Sequence, residues 1–226
     1  MTLGQKADAV GKYVNGKVSR LQRCYVYGNP REKTWARAQL ARLRRLDTQT
    51  GSDWMSVGDE LFEDWRIEEL GVPEPKSKEL LAVKAALQLY AYHQQSESSL
   101  GMNLAIDGET PEKRAVQRRL GSFGGACRGV QPDLDRANGV HARLRSLETA
   151  SSFEDSVRIM RELIKLMRSS ANAVACRICY RELASDLYLL QFDGSHDDVI
   201  MRWGRDYYMT RSSANDGDKS SENNKS

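Results

Sequence analysis

The chain has 226 residues, with 34 Lys plus Arg against 31 Asp plus Glu, 40% hydrophobic residues, four Cys and five Pro. That length and apolar content suit one large or two small globular domains and exclude a wholly disordered chain, while four cysteines are too few for a disulfide scaffold. Residues 212–226 hold three acids and two lysines, so the rest carries 32 basic side chains against 28 acidic ones, a mildly basic body that does not by itself mark a nucleic-acid binder.

No segment reaches the roughly 18 uncharged apolar residues of a membrane span, and Met1-Thr2-Leu3-Gly4 lacks the basic-then-apolar layout of a secretion signal. The expectation is a soluble, cytoplasmic protein with reduced thiols. Apolar residues recur at three- and four-residue spacing and alternating β-branched runs are missing, which predicts an all-α chain. A first helix spans Leu3 to Tyr25 with Val10, Val14, Val18 and Leu21 as its apolar face, and Gly28-Asn29-Pro30 ends it. A second runs from Arg31 to Leu46. Asp53 caps a less regular helical stretch through Trp54, Leu61, Phe62 and Trp65, closed by Gly71-Val72-Pro73-Glu74-Pro75.

Ser77 caps a fourth helix, Lys78 to Ser96, with one charged residue, Lys84, between Leu80 and Gln95; a helix apolar nearly all round is a central core helix. Thr110-Pro111-Glu112 opens another helix, which gives way to Gly121-Ser122-Phe123-Gly124-Gly125 and a glycine-containing stretch to Asn138-Gly139. A junction near Gly108 divides the chain into two small bundles, 1–107 and 108–211, followed by a disordered polar tail, 212–226. Ser151-Ser152-Phe153-Glu154 offers a capping box for a helix to Arg168, and helices over Asn172 to Gln191 and His196 to Met209 complete the body.

Charge placement is more informative than charge total. The second helix holds Arg37, Arg42, Arg44 and Arg45 and no acid between Trp35 and Leu46. Ala36, Leu40 and Leu43 form its buried stripe, and Arg37, Arg44 and Arg45 share the polar face without the carboxylates that would pair with them at helical spacing. Arginine's planar fork suits bidentate phosphate contact. On the helix from Phe153 to Arg168, Phe153, Val157, Met160, Ile164 and Met167 make an apolar seam, and Arg158, Arg161, Lys165 and Arg168 fall within about 80° of one another. That cationic row is roughly 15 Å long, with Glu162 on its rim and Glu154 in the first turn. Lys113, Arg114, Arg118 and Arg119 form a third cluster before the glycine stretch, and Arg143 and Arg145 follow it. Several basic rows suggest a path along nucleic-acid backbone; a solvated basic face, or contacts to acidic faces of neighbouring proteins in a purely structural spacer, are the alternatives.

Enzyme motifs fail on inspection. Gly11-Lys12-Tyr13-Val14-Asn15-Gly16-Lys17-Val18 matches a phosphate-binding loop up to its lysine, but Val18 replaces the Ser or Thr that would bind magnesium, and no strand precedes it. Cys176 and Cys179 have metal-ligand spacing without a second pair and read as buried helical thiols; stoichiometric zinc would be needed for an enzyme built on them. His93 beside Tyr90 and Tyr92 reads as packed and structural, and His141 and His196 show no nucleophile at a recognisable spacing. Trp54, Trp65 and Trp203 sit among apolar neighbours, not in a ladder for stacking bases, which favours backbone contact over base reading. A non-enzymatic chain without cofactor, metal or small-molecule substrate is expected.

The residues also resemble a known family. Val18 to Tyr25, Trp35 to Arg45, Ala86 to Ser96, Leu147 to Phe153, Met160 to Arg168 and Arg202-Trp203-Gly204-Arg205-Asp206-Tyr207-Tyr208, in this order, are similar to the CasB family, the small subunit of the type I-E CRISPR surveillance complex Cascade. The resemblance covers Val18 to Arg211. It implies two helical bundles, present as a head-to-tail pair beside the other Cascade subunits and guide RNA, whose basic surface holds single-stranded and R-loop DNA, the displaced strand included. Arg44 and Arg45 match the family's paired arginines ending the second helix, and Arg143, Arg161 and Arg168 match positions in the C-terminal bundle. Ala142, Glu162 and Met102 stand where family members carry further arginines.

Overall fold

The computed structural model describes residues 1–46 and 54–210. The Asp53 cap and the predicted tail, 212–226, lie outside them, as does the side chain of Trp54. The chain is all-α: the described residues form eleven α-helices and no strand beyond one isolated bridge between Asn103 and Ile178. No helix of the described residues is long and apolar enough to cross a membrane.

Helix α1 (Leu3–Gln22) starts on a Thr2/Gln5 capping box and continues into a π-helical turn, Arg23–Tyr27, which buries Cys24, Tyr25 and Val26. Asn29 caps α2 (Pro30–Arg45) by accepting from the Arg31 and Glu32 amides at 3.0 and 3.1 Å, and Glu32 accepts in return from the Asn29 amide at 2.8 Å. Helices α3 (Trp54–Phe62) and α4 (Ile67–Leu70) are short, and Gly71 at φ 81° ends the second of them. Helix α5 (Lys78–His93), capped by Ser77, is buried on nearly every side and touches α1, α2, α9 and α10. Its apolar circumference makes it the axis of the core, as its composition predicts.

Helix α6 (Pro111–Gly121) and α7 (Phe123–Val130) follow, then a 3₁₀ turn and α8 (Asn138–Glu148), α9 (Phe153–Ser169), a second 3₁₀ turn (Ala173–Cys176), α10 (Tyr180–Leu189) and α11 (Asp193–Met209). Two expectations are corrected here. The glycine stretch after Gly121 is not a loop: Ser122 caps α7, and its glycines let backbones meet, since a Cβ on Gly124 would stand 1.9 Å from the Trp203 carbonyl oxygen of α11. The predicted helix from Asn172 to Gln191 breaks at Arg177–Cys179, where the chain crosses segment 102–104; Ile178 N donates to Met102 O and Leu104 N to Ile178 O.

One apolar cluster runs from Ala7 to Tyr207. It crosses the junction expected near Gly108 because α1 lies along α10: Ser185 Oγ donates to the Ala7 carbonyl at 2.8 Å, Arg181 pairs with Asp8 at 2.7 Å, and a Cβ on Gly11 would be 2.6 Å from the Arg181 carbonyl. Gly11 of the phosphate-loop look-alike therefore serves helix packing, and Lys17 is buried over the Tyr13 ring. His93 is fully buried, hydrogen-bonded to Tyr180 at 3.1 Å, and its imidazole is pushed down to about 3 by burial, with the Arg168 charge adding to the effect.

Candidate nucleic-acid interface

The ends of α2 and α5 and the N-terminal half of α9 enclose an open cavity of about 440 Å³. Arg44 and Arg45 enter it from α2, Arg158 and Arg161 from α9, and Gln88 and Tyr92 from α5. On α2, burial of Ala36, Leu40 and Leu43 turns Arg37, Arg42 and Arg45 outward and leaves Arg44 half-buried; on α9, Val157, Met160, Leu163, Ile164 and Met167 are buried and aim the arginines away from the core. Two segments more than a hundred residues apart thus supply four guanidinium groups to one space.

Tyr92 joins the two sides. Its O–H donates to the Arg44 carbonyl at 2.7 Å, its oxygen accepts from Arg161 Nη1 at 3.1 Å, and the Arg161 guanidinium lies 5.1 Å from the ring centroid. Beside it, Arg168 Nη1 donates to Gln95 Oε1 at 3.2 Å, and Gln88 Nε2 donates to the Leu46 carbonyl, fixing the end of α2. Burial, then the positive charges of Arg168 and Arg45, pull the Arg44 guanidinium below its ordinary range. It stays protonated at neutral pH, so the site holds concentrated positive charge. Arg44, Arg45, Arg161 and Arg168 have no carboxylate ion pair among the described residues.

The α9 row is less free than its spacing suggests. Arg158 pairs with Asp155 at 2.8 Å and Lys165 with Glu162 at 2.7 Å, both three residues back on the same helix. Asp155 also receives the Ser151 and Ser152 hydroxyls, so the acidic partner of the helix cap is Asp155 and not Glu154. Glu154 and Asp155 line the cavity with the arginines. Exposed pairs of this kind are worth about 0–1 kcal/mol, and a phosphate can replace the carboxylate at little cost. Arg143 of α8 donates to the Gly139 carbonyl at 2.9 Å, and its charge helps hold the Glu162 carboxyl below the usual range, after the Lys165 hydrogen bond. Met102 is buried in the segment clamped by Gln22 and Arg177.

The basic residues do not all meet. Arg118 and Arg119 of α6 line a separate groove of about 700 Å³ with Arg181, Arg202 and Arg205, and that groove shares no residue with the first cavity. Four of its arginines are paired: Arg118 with Glu182 at 3.7 Å, Arg181 with Asp8, Arg202 with Asp186, and Arg205 with Asp206 at 2.9 Å. Arg114, exposed on α6, and Arg37 and Arg42, exposed on α2, line neither space. Spacing gave no hint of Tyr92, Gln88 and Gln95, although the polar end of an otherwise apolar helix was the available signal. Cys176 and Cys179 are buried, which pushes the Cys176 thiol up to about 11 and raises that of Cys179; they are poor nucleophiles. Among the described residues no group of three His, Cys, Asp or Glu side chains could hold a metal ion.

The family model of the CRISPR-associated protein Cse2 matches residues 39–208, from the middle of α2 to the end of α11. The crystal structure of CasB from Thermobifida fusca is similar, with a TM-score of 0.62 and 25% sequence identity over 88% of this chain and 97% of that one. No curated protein matches. Since the matched residues make up most of the chain and include α9 and the end of α2, the chain belongs to the CRISPR-associated Cse2 family.

Proposed function

We propose that the protein is a non-catalytic small subunit of the type I-E Cascade surveillance complex that holds single-stranded DNA by its backbone. The convergence of Arg44, Arg45, Arg158 and Arg161 on one open cavity carries this reading. Opening a duplex while pairing a guide is close to energetically balanced, so phosphate contacts to the displaced strand are enough to tip R-loop formation. The cleft is made by α2 and α5, which precede Gly108, and by α9, which follows it, so it draws on both halves of the chain. The other Cascade subunits, guide RNA and a second copy of this chain are the expected partners in the assembly.

Recognition of this kind is independent of base sequence and strongly dependent on salt. With about four phosphates neutralised, log affinity for single-stranded DNA falls against log salt with a slope near −3, at about −0.7 per phosphate. Arg44→Ala with Arg161→Ala weakens binding and R-loop formation and lowers that slope, while the helical circular-dichroism signal is retained. A flat salt response of the unaltered protein favours instead a spacer that only bridges other subunits.

A further inference from the structure

Between α8 and α11 lies a third space, a cleft of about 540 Å³ that the basic cavity does not touch. Its walls carry rings. Trp203 forms its floor and is fixed there by its indole N–H, which donates to Asp186 Oδ2 at 2.7 Å. Tyr207 is 1% exposed, and the His141 ring meets it edge to face at 5.3 Å. Tyr208 is 64% exposed, yet its ring is held on two sides: it stacks on His141 at 6.1 Å and 29°, and meets Tyr207 edge to face at 5.1 Å. His141 Nε2 is shielded from solvent without a hydrogen-bond partner, an unsatisfied group beside an open cleft.

A two-ring stack whose outer member is exposed and pre-oriented is a platform for a third flat ring. The charges around it say which part of a nucleotide would enter. Glu148 and Asp197 line the cleft and repel a phosphate, whereas Arg145 offers one cation beside it. Arg145 sits on the same helix as Arg143, whose charge acts on Glu162 of α9. Helix α8 therefore borders both the α9 row and the cleft that holds the rings. We infer that the α8–α11 cleft takes one unpaired nucleobase, stacked on Tyr208, with Arg145 receiving the adjoining phosphate. The inference rests on the backbone-binding reading and adds to it a contact that requires a base.

The test compares a single-stranded oligothymidylate with an abasic oligonucleotide of equal length, both titrated against the full chain over a range of salt. The base stack contributes about five- to 150-fold in affinity. The expected result is at least fivefold tighter binding of oligothymidylate, a loss of at least fivefold for Tyr208→Ala on that strand alone, retention by Tyr208→Phe, and an unchanged salt slope in both variants. Tyr208 is exposed, so the fold survives its removal, as circular dichroism would verify. Salt-dependent binding that is equal for the two oligonucleotides, or unaffected by Tyr208→Ala, overturns this inference alone and leaves the cleft to a protein partner. Absence of salt-dependent binding to either strand overturns the backbone reading and this one together.

Discussion

Tyr92 is where the two halves of the basic cavity are tied, and replacing it with Phe isolates that tie. Tyr92→Phe keeps the ring 5.1 Å from the Arg161 guanidinium and removes two hydrogen bonds, one neutral to the Arg44 carbonyl and one from a charged donor. A neutral bond is worth about 1 kcal/mol and a charged one about 1.5–3 kcal/mol, but Tyr92 and Arg161 are only half-buried and water replaces part of each; the net loss is about 1–2 kcal/mol. For a chain of this size that lowers the melting temperature by about 2–8 °C. Freed from its anchor, Arg161 must be ordered again whenever a strand binds, which costs about 0.5–1.5 kcal/mol, or roughly two- to twelvefold in affinity. No charge is removed, so the salt slope stays near its original value. Urea denaturation and fluorescence anisotropy with a labelled single strand measure both quantities. Unchanged stability and affinity, or a slope altered by a full phosphate equivalent, would refute the idea that Tyr92 positions Arg161.

Two further outcomes follow from the interior. Burial pushes the Asp186 carboxyl up to about 6, outweighing the Arg202 guanidinium and the Trp203 N–H. The folded chain then holds a proton that the unfolded chain releases near pH 4, so this contribution to stability is complete below about pH 4 and lost as pH rises through about 6. The stability difference between the unaltered protein and Asp186→Asn changes by about 2–3 kcal/mol between pH 4 and 7, and a constant difference would show that the carboxyl titrates normally. Gly124→Ala destabilises by about 3 kcal/mol or more, because its Cβ would meet the Trp203 carbonyl at 1.9 Å, whereas Gly16→Ala, with nothing within 4 Å, stabilises α1 by about 0.5–1 kcal/mol. Equal melting temperatures for the two variants would remove close backbone contact as the reason for glycine in α7.

Helical class, the central place of α5 and the apolar faces of α1, α2 and α9 were legible because three- and four-residue periodicity survives wherever one side of a helix is buried. Glycine misled where its use was tertiary: Gly124 looks like a breaker in one dimension and is a contact between α7 and α11 in three. The break at Arg177–Cys179 was hidden for a related reason, since the backbone bonds that stabilise it go to residues 102 and 104, far away in sequence. Individual basic rows were visible, but their grouping was not. Nothing in spacing says that α2 and α9 share a cavity while α6 sits among Asp8, Glu182 and Asp206, or that acids three residues back neutralise Arg158 and Lys165. The stack of His141 on Tyr208 is not legible in sequence because the two rings are 67 positions apart and meet only once α8 lies against α11.

The pairing of α1 with α10 also sets a timetable for synthesis. Ala7, Val10, Val14 and Val18 are made about 160 residues before α10, the helix that packs along them. At about 5–20 residues per second the apolar face of α1 waits roughly 8–30 s for its mate. During that interval the nascent chain is a substrate for chaperones, and slow codons between α2 and α9 would lengthen the exposure. A rearranged gene that encodes α10 directly before α1 would shorten it, and the yield of properly folded chain would rise accordingly.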